Sequence, residues 1–338
     1  MESFMDFQTW REIIEYARWA PSPHNTQHWK FRLLDERRAV LLYDPARLLP
    51  VEDGAGRFMA SAMGVLLETM SVAAAPLGLE VRATARNVPL DASATQPSPF
   101  ADLELVERSE PEPLDRELIR TRRTSRLPYD DRPVSPEMLD ELSRAAEQFG
   151  HQFEHSNDPE EVAWVIGLNA DTMFYDLSDD ATRREIGSWT RYSQAEAKRH
   201  GDGLAAFAML FPGWLMRLFF ERHWLFLLPG LRQLCKWNYK RSMRGTRTVA
   251  WLSGKFQEQS DCLVAGRALA RMWLIMTKQG VYLQPFGSVI TNPRSHEAMK
   301  GHFANSQRRH PLWMLVRLGH NDEPPRALRL PLDQLIVS

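Results

Sequence analysis

The stretch "GRFMASAMGVLLETMSVAAAPLGL", residues 56–79, constrains this chain more than any other. From 56 to about 75 it fits one long helix, closed by Pro76 and Gly78. That helix is apolar around almost its whole circumference, so it belongs in the middle of something rather than on a surface. A second stretch of the same kind, "EQSDCLVAGRALARMWLIMTKQG", ends on Gly280, and its Met and Trp residues recur at helical spacing as core positions do. The fold must therefore wrap two buried helices. With 338 residues, 43% of them hydrophobic, the chain can do so as two ordinary domains or one large one.

The rest of the chain supplies the wrapping. "DFQTWREIIEYARWA" places Trp10, Ile13, Ile14 and Ala17 at helical intervals, with Thr9 or Asp6 as the cap. "WKFRLL" and "AVLLYDP" read as a hairpin around "DERR". "LEVRATARN" and "FADLELVER" are strands flanking a Pro/Ser/Ala-rich loop at 89–99. A second unit starts near Leu114 with a short helix, "DRELIRTRRTS". Ser135 then caps a helix that has Pro136 at its first position and Gly150 beyond its end, and Asp158 with Pro159 repeats that opening after the strand "HQFEHSND". "VYLQPFGSVI" is a strand or loop, "NPRSHEAMKGHF" a capped helix and "PLWMLVRLGH" the last strand. Helices and strands interleave throughout, and the class expected is α+β. Each half runs helix, loop or strand, long apolar helix, strand. This suggests two related halves, 1–113 and 114–338, packed as an intramolecular pseudo-dimer, a monomer with its own internal two-fold interface.

Residues 204–231 are the most apolar stretch of all. A membrane-spanning helix needs about 20 nearly uncharged residues. Here Arg217, Glu221, Arg222 and His223 fall in the middle, beside Pro212 and Pro229, which argues against a span. One reading is a buried helix pair. The other is a lid-like insertion over about 200–250 that covers a ligand or leans on a membrane surface through 204–245, because residues 214–250 hold eight Arg and Lys against one acid.

Composition removes several function classes. A net charge of -1 gives no reason to expect nucleic acid or a strongly acidic partner. Two cysteines, Cys235 and Cys262, fit a reducing compartment, and "MESFMDFQTW" has no basic run before an apolar stretch, so a cytoplasmic protein without a signal peptide is expected.

Three stretches carry candidate chemistry. In "APSPHNTQHWKF", Pro21 and Pro23 stiffen the backbone while Ser22, His24, Asn25 and Gln27 supply donors and acceptors. Such a loop can serve as a plain helix-to-strand turn or match the edge of a polar heterocycle. In "IRTRRTSRLPYDDRP", Arg122, Arg123 and Arg126 crowd together with Thr124 and Ser125. That is either a solvated basic turn neutralised by Asp130 and Asp131 or a phosphate grip of guanidinium forks and hydroxyls. In "HNDEPPRALRLPLDQL", Arg326 and Arg329 follow close behind a strand.

Together these stretches resemble the nitroreductase family. "ARWAPSPHNTQHWKF" is similar to its Pro-Ser-Asn loop signature, "RTRRTSRLPYDDRPV" to its Arg-Arg-Ser-x-Arg element, and "LVRLGHNDEPPRALRLPL" to its terminal strand and basic clamp. "KQGVYLQPFGSV" sits where the family places a loop over its flavin. The resemblance implies a nitroreductase-like fold and an FMN-dependent oxidoreductase that uses NAD(P)H or an organic donor and a small-molecule acceptor. It assigns Arg122, Arg123, Thr124, Arg126 and Arg329 to the phosphate and ribityl chain. Pro21, Ser22, Pro23, His24, Asn25 and Gln27 fall to the isoalloxazine ring, with Gln284, Pro285 and Gly287 covering it. No side chain is assigned a catalytic proton transfer. In the family the ring-facing loop comes from the other subunit and follows the Arg element. Here the loop comes first and each half keeps what the other lacks, so the halves together imply one FMN per chain, as in the family's fused single-chain branch, where flavin storage without turnover is the alternative. His28 stands where the family has proline, and Ala327 where many members carry a second basic residue, a role open to Arg326.

Other patterns lead nowhere. The histidines of "HEAMKGH" are six apart, not the four a zinc helix needs, so no metal is expected. "DGAG" at Asp53 completes no dinucleotide fingerprint, and no Gly-x-Ser-x-Gly elbow is present.

Overall fold

The computed structural model describes residues 7–222, 224, 228–303 and 311–337. Helix α1 (Gln8–Ala17) buries Trp10, Ile13, Ile14 and Ala17. It starts without a side-chain cap: Phe7 occupies the N-cap, Thr9 lies inside the first turn, and Asp6 is outside the described residues. β1 (Trp29–Leu33) and β2 (Arg38–Tyr43) form the expected hairpin. α2 (Arg57–Ala74) is the long apolar helix, and β3 (Leu79–Ala85) pairs antiparallel with β4 (Ser98–Glu107). The second unit continues through α3 (Glu117–Thr121), α4 (Pro136–Glu147), β5 (Gln152–Ser156) and α5 (Pro159–Asp176). Ser135 Oγ accepts from the Met138 amide, and the Asp158 carboxylate from the Glu160 and Glu161 amides, so both Pro-N1 helices start where the sequence places them.

Next comes a cover of small elements: α6 (Asp180–Ser188), β6 (Thr190–Arg191), α7 (Gln194–His200), β7 (Leu204–Ala205), α8 (Gly213–Glu221) and α9 (Pro229–Ser242). The chain then returns through β8 (Thr248–Ser253), α10 (Gln259–Lys278), β9 (Tyr282–Pro285), α11 (Gly287–Thr291), α12 (Pro293–His302) and β10 (Leu312–Gly319). β10 is not the last strand. α13 (Leu332–Leu335) and β11 (Ile336–Val337) follow it, and β11 pairs parallel beside β1, Phe31 opposite Ile336. One sheet has the order β11-β1-β2-β4-β3 and the other β5-β8-β10-β9. The class is α+β, as the sequence predicts.

Between the sheets α2 crosses α10, and two glycines set how closely. A Cβ at Gly64 would run into the backbone carbonyl of Leu263, and one at Gly266 into that of Ser61. The contact is reciprocal, Ser61 and Gly64 against Leu263 and Gly266, as a two-fold interface makes it. Nearby, Glu68 on α2 is wholly buried and held by Arg267 (3.0 Å) and Arg271, with Arg271 also bonded to Glu112 (3.1 Å). A buried carboxylate is tolerated only when paired in this way. The largest buried cluster draws side chains from both sides of residue 113, among them Met63 and Met70 on α2 and Met272 and Trp273 on α10.

The buried-helix-pair reading of 204–231 does not hold. Among the described residues, α8 buries only Phe219, while Trp214, Trp224 and Trp237 are 71%, 61% and 55% exposed. Met216 and Phe219 of α8 and Tyr239 of α9 face a cavity, while the exposed tryptophans meet solvent. Among the described residues one helix, Arg57–Leu77, is long and apolar enough to cross a membrane. It is the core helix α2 with the short turn that follows it, 89% buried in its own protein.

Candidate functional site

The stiff loop after α1 is where distant parts of the chain meet. Pro23 opens a single tight turn, and His24, Asn25 and Gln27 then adopt left-handed φ angles of 47°, 56° and 50°. Half of the six non-glycine residues with positive φ among those described thus lie in this one loop. Backbone in that region costs of the order of 1–3 kcal/mol per residue and persists only where its surroundings over-determine it. Here they do. Ser22 Oγ accepts from the Gln27 amide (2.9 Å). Asn25 Nδ2 donates to the carbonyls of Gly203 (3.2 Å) and Leu328 (3.1 Å), and Asn25 Oδ1 accepts from Arg329 Nη1 (2.9 Å). Gln27 donates to Gly201 O (3.0 Å) and accepts from the Leu330 amide (2.8 Å). The polar side chains that crowd this loop stitch the N-terminal region to the cover and to the C-terminal segment.

That stitching creates one end of a cavity of about 540 Å³, within the range of ligand sites. Pro21, Ser22, Pro23, His24 and Asn25 line it, as do Arg122, Arg123, Thr124 and Arg126, then Gln284, Pro285, Gly287 and Arg329. Gln27 does not. It is fully buried behind the loop and spends its amide on backbone, which makes it a positioning residue. His28 is buried as well. Its Nε2 lies 2.9 Å from Met59 O, and burial pushes its pKa down to about 4, so the ring is neutral at pH 7 and donates there.

The arginine element reaches the cavity because it runs beside β9: Thr124 bridges to Leu283, and the Ser125 amide donates to Leu283 O (3.1 Å). Arg317 on β10 is wholly buried and locks this arrangement, donating to Gln284 Oε1 (2.8 Å) and Leu127 O (2.9 Å). The sequence reading missed Arg317. A charged residue in the apolar run "LWMLVRLG" is the signal that could have revealed it.

Four guanidinium groups converge at this end. Arg122 donates to Trp19 O (3.2 Å) and lies over the Trp273 ring. Arg329 donates to the same carbonyl (3.1 Å) and to Asn25, Arg326 stacks 3.3 Å above the Trp19 ring, and Arg123 pairs with Glu323. Among the described residues, Nη1 of Arg122, Nε and Nη1 of Arg123, Nε and Nη2 of Arg326 and Nε of Arg329 are buried without hydrogen-bond partners. Burial and mutual repulsion lower Arg122 to about 9 and Arg326 to about 10, and push Arg329 well below the usual arginine range. A guanidinium is not deprotonated in proteins, so these groups act as cations. Converging, desolvated cations with idle donors form an anion site, because a phosphate-like group would fill those donors and offset the repulsion. Arg326 and Ala327 both line the cavity beside Arg329. Arg126 stands apart, with Tyr239 and Arg317 as its electrostatic neighbours.

The far wall is different. Glu52 pairs with His24, while burial raises Asp53 and Asp176 to about 6. Asp176 also feels the negative charge of Glu52, and Asn292 donates to it (2.7 Å). None of these acids was singled out from sequence as part of a site. Above them the cover closes the cavity with apolar side chains, among them Met209, Phe211, Met216, Phe219 and Phe220. The "HEAMKGH" histidines are used elsewhere: His296 Nε2 lies 2.9 Å from Leu312 O and His302 stacks on Trp164.

No family model matches the chain, and no curated protein does. Comparison with solved structures finds nitroreductases. One is the Bacteroides fragilis nitroreductase with bound FMN, 14% identical with a TM-score of 0.35, the match covering 64% of this chain and 92% of that one. Another is the FMN-dependent nitroreductase NfnB of Mycobacterium smegmatis in complex with NADPH, 16% identical with a TM-score of 0.37, covering 64% and 94%. A chain from Anabaena variabilis assigned to the nitroreductases is 10% identical with a TM-score of 0.43, covering 94% of this chain and 73% of its own. Likeness this distant carries no weight for the chemistry.

Proposed function

We propose that this protein is an FMN-dependent oxidoreductase of the nitroreductase type, holding one FMN per chain in the cavity shared by its two halves. The observation that carries this reading is the set of idle, buried guanidinium donors on Arg122, Arg123, Arg326 and Arg329, facing the same cavity as the strained Pro21–Asn25 loop. The arginines fit a phosphate. Ser22, His24 and Asn25 on one side and Pro285 and Gly287 on the other would flank a planar ring. When bound, the flavin supplies hydride or electron transfer from NAD(P)H or an organic donor to a small-molecule acceptor. This chain's residues bind it, orient it and exclude water from it. The reciprocal Gly64 and Gly266 contacts support the pseudo-dimer reading, with 1–113 and 114–338 as its halves. Cys235 and Cys262 are both free thiols, which supports a reducing, cytoplasmic setting.

The cover favours a second reading, flavin storage without turnover, because its apolar face lies over the cavity. The first test is the visible spectrum of the purified protein before and after denaturation in the dark. A yellow protein releasing about one FMN per chain is expected. A colourless protein that also refuses added FMN would overturn both readings. Titration with NADPH then separates them, since bleaching of bound flavin within seconds excludes storage.

A further inference from the structure

We propose that the outer face of the cover docks on an anionic lipid bilayer. This does not rest on the flavin reading. Among the described residues every exposed tryptophan belongs to this face: Trp214, Trp224 and Trp237, accompanied by Leu228 and Leu234. Lone exposed apolar residues are ordinary, but five large exposed ones on two successive helices and their connection mark an interaction site. Basic side chains frame it. Arg217, Arg222, Lys240, Arg241 and Arg244 are exposed beside it, and Arg241 lies 5.3 Å from the centre of the Trp237 ring. Lys240, Arg241 and Arg244 have no carboxylate partner among the described residues.

The chemistry of the face selects its occupant. Indole rings that present an apolar body and a polar N–H settle at the headgroup level of a bilayer, and clustered Lys and Arg are drawn to anionic lipid. A second copy of this chain is a poor occupant, because two such basic faces would repel each other. The geometry also has a use. The helices α8 and α9 that expose Trp214 and Trp237 turn Met216, Phe219 and Tyr239 into the cavity. Only one helical layer then separates the apolar wall of the cavity from the proposed bilayer, an arrangement suited to a lipid-soluble molecule.

The test is co-sedimentation of the full chain, as purified and after FMN addition, with vesicles of phosphatidylcholine alone and with about a third phosphatidylglycerol. Pelleting with the anionic vesicles and its loss in high salt are expected. Trp214→Ser/Trp237→Ser and Lys240→Glu/Arg241→Glu should each weaken binding about tenfold or more, with melting temperatures unchanged. Absence of binding to anionic vesicles by folded protein would overturn the proposal, as would binding that neither double variant alters. A concentration-dependent dimer that Trp237→Ser dissolves would overturn it too, and would make a second copy the occupant.

Discussion

The two ends of the cavity are built on opposite principles. At the arginine end several polar side chains are held from two or three directions. Asn25, Gln27 and Arg317 each tie segments far apart in sequence, and two sheets stand behind them. At the cover end the inward faces are mainly apolar, the core is a small cluster around Phe174 and Phe219, and the outward faces carry tryptophan. The first end is determined by hydrogen bonds that have few alternatives. The second adds apolar contacts to its own directional ties, among them the buried Arg191–Asp202 pair and the Asn169–Tyr239 hydrogen bond. Converging unpartnered donors for a charged group therefore belong to the frame, whereas the inner face of the cover offers mainly apolar surface.

That contrast can be broken where the frame is tightest. Gly266→Ala should cost about 3 kcal/mol, because its Cβ meets backbone that belongs to another helix. Thermal or urea denaturation reads this, and an unchanged melting temperature would mean the α2–α10 crossing has slack. One step smaller, Arg329→Ala removes a charged donor from both Asn25 and the anion site, and FMN affinity should fall about a hundredfold. Flavin fluorescence titration measures it, and undiminished affinity would place the phosphate elsewhere.

A third effect concerns the acids of the far wall. Burial raises the folded-state pKa of Asp53 and Asp176 from the ordinary carboxyl value to about 6. The folded state therefore binds more protons than the unfolded state between pH 4 and 6. Their contribution is fully present below pH 4 and is lost as pH rises through about 6. Asp176→Asn should flatten that slope and stabilise the protein at pH 7 by on the order of 1 kcal/mol, discounted for partial exposure. Denaturation at pH 4, 5, 6 and 7 tests the sign, and a slope that steepens in the variant would refute it. Smallest of all, Trp237→Ser should change stability by less than about 0.5 kcal/mol and leave FMN affinity untouched. A larger loss would show that the cover supports the frame.

Much of this was legible beforehand because it is local. Ser135, Asp158 and Asn292 cap helices that begin with proline, and these signals need no tertiary context. The core helices announced themselves by being apolar all round. The arginine element and the proline loop were legible as motifs, but not the roles within them: Gln27 is spent on backbone and Arg126 faces Tyr239. What stayed hidden depends on partners distant in sequence. The apolar pattern of α8 and α9 fits burial in a core and coverage of a cavity equally well, and only the exposure of Trp214 and Trp237 separates the two. β11 is two residues long and carries no period of its own. Asp53 and Asp176 look like ordinary surface acids until the fold buries them.

β11 closes the first sheet against β1, and Arg326 and Arg329 lie on the strand of chain that leads to it. On a ribosome the Pro21–Asn25 loop emerges early and this segment much later, roughly 15–60 s apart at about 5–20 residues per second. Until then the loop lacks the partners that hold its left-handed turns, and the first sheet keeps an open edge. Arg326 and Arg329 therefore join Arg122 and Arg123 only when this segment meets the loop, so the converging guanidinium groups are completed in one step.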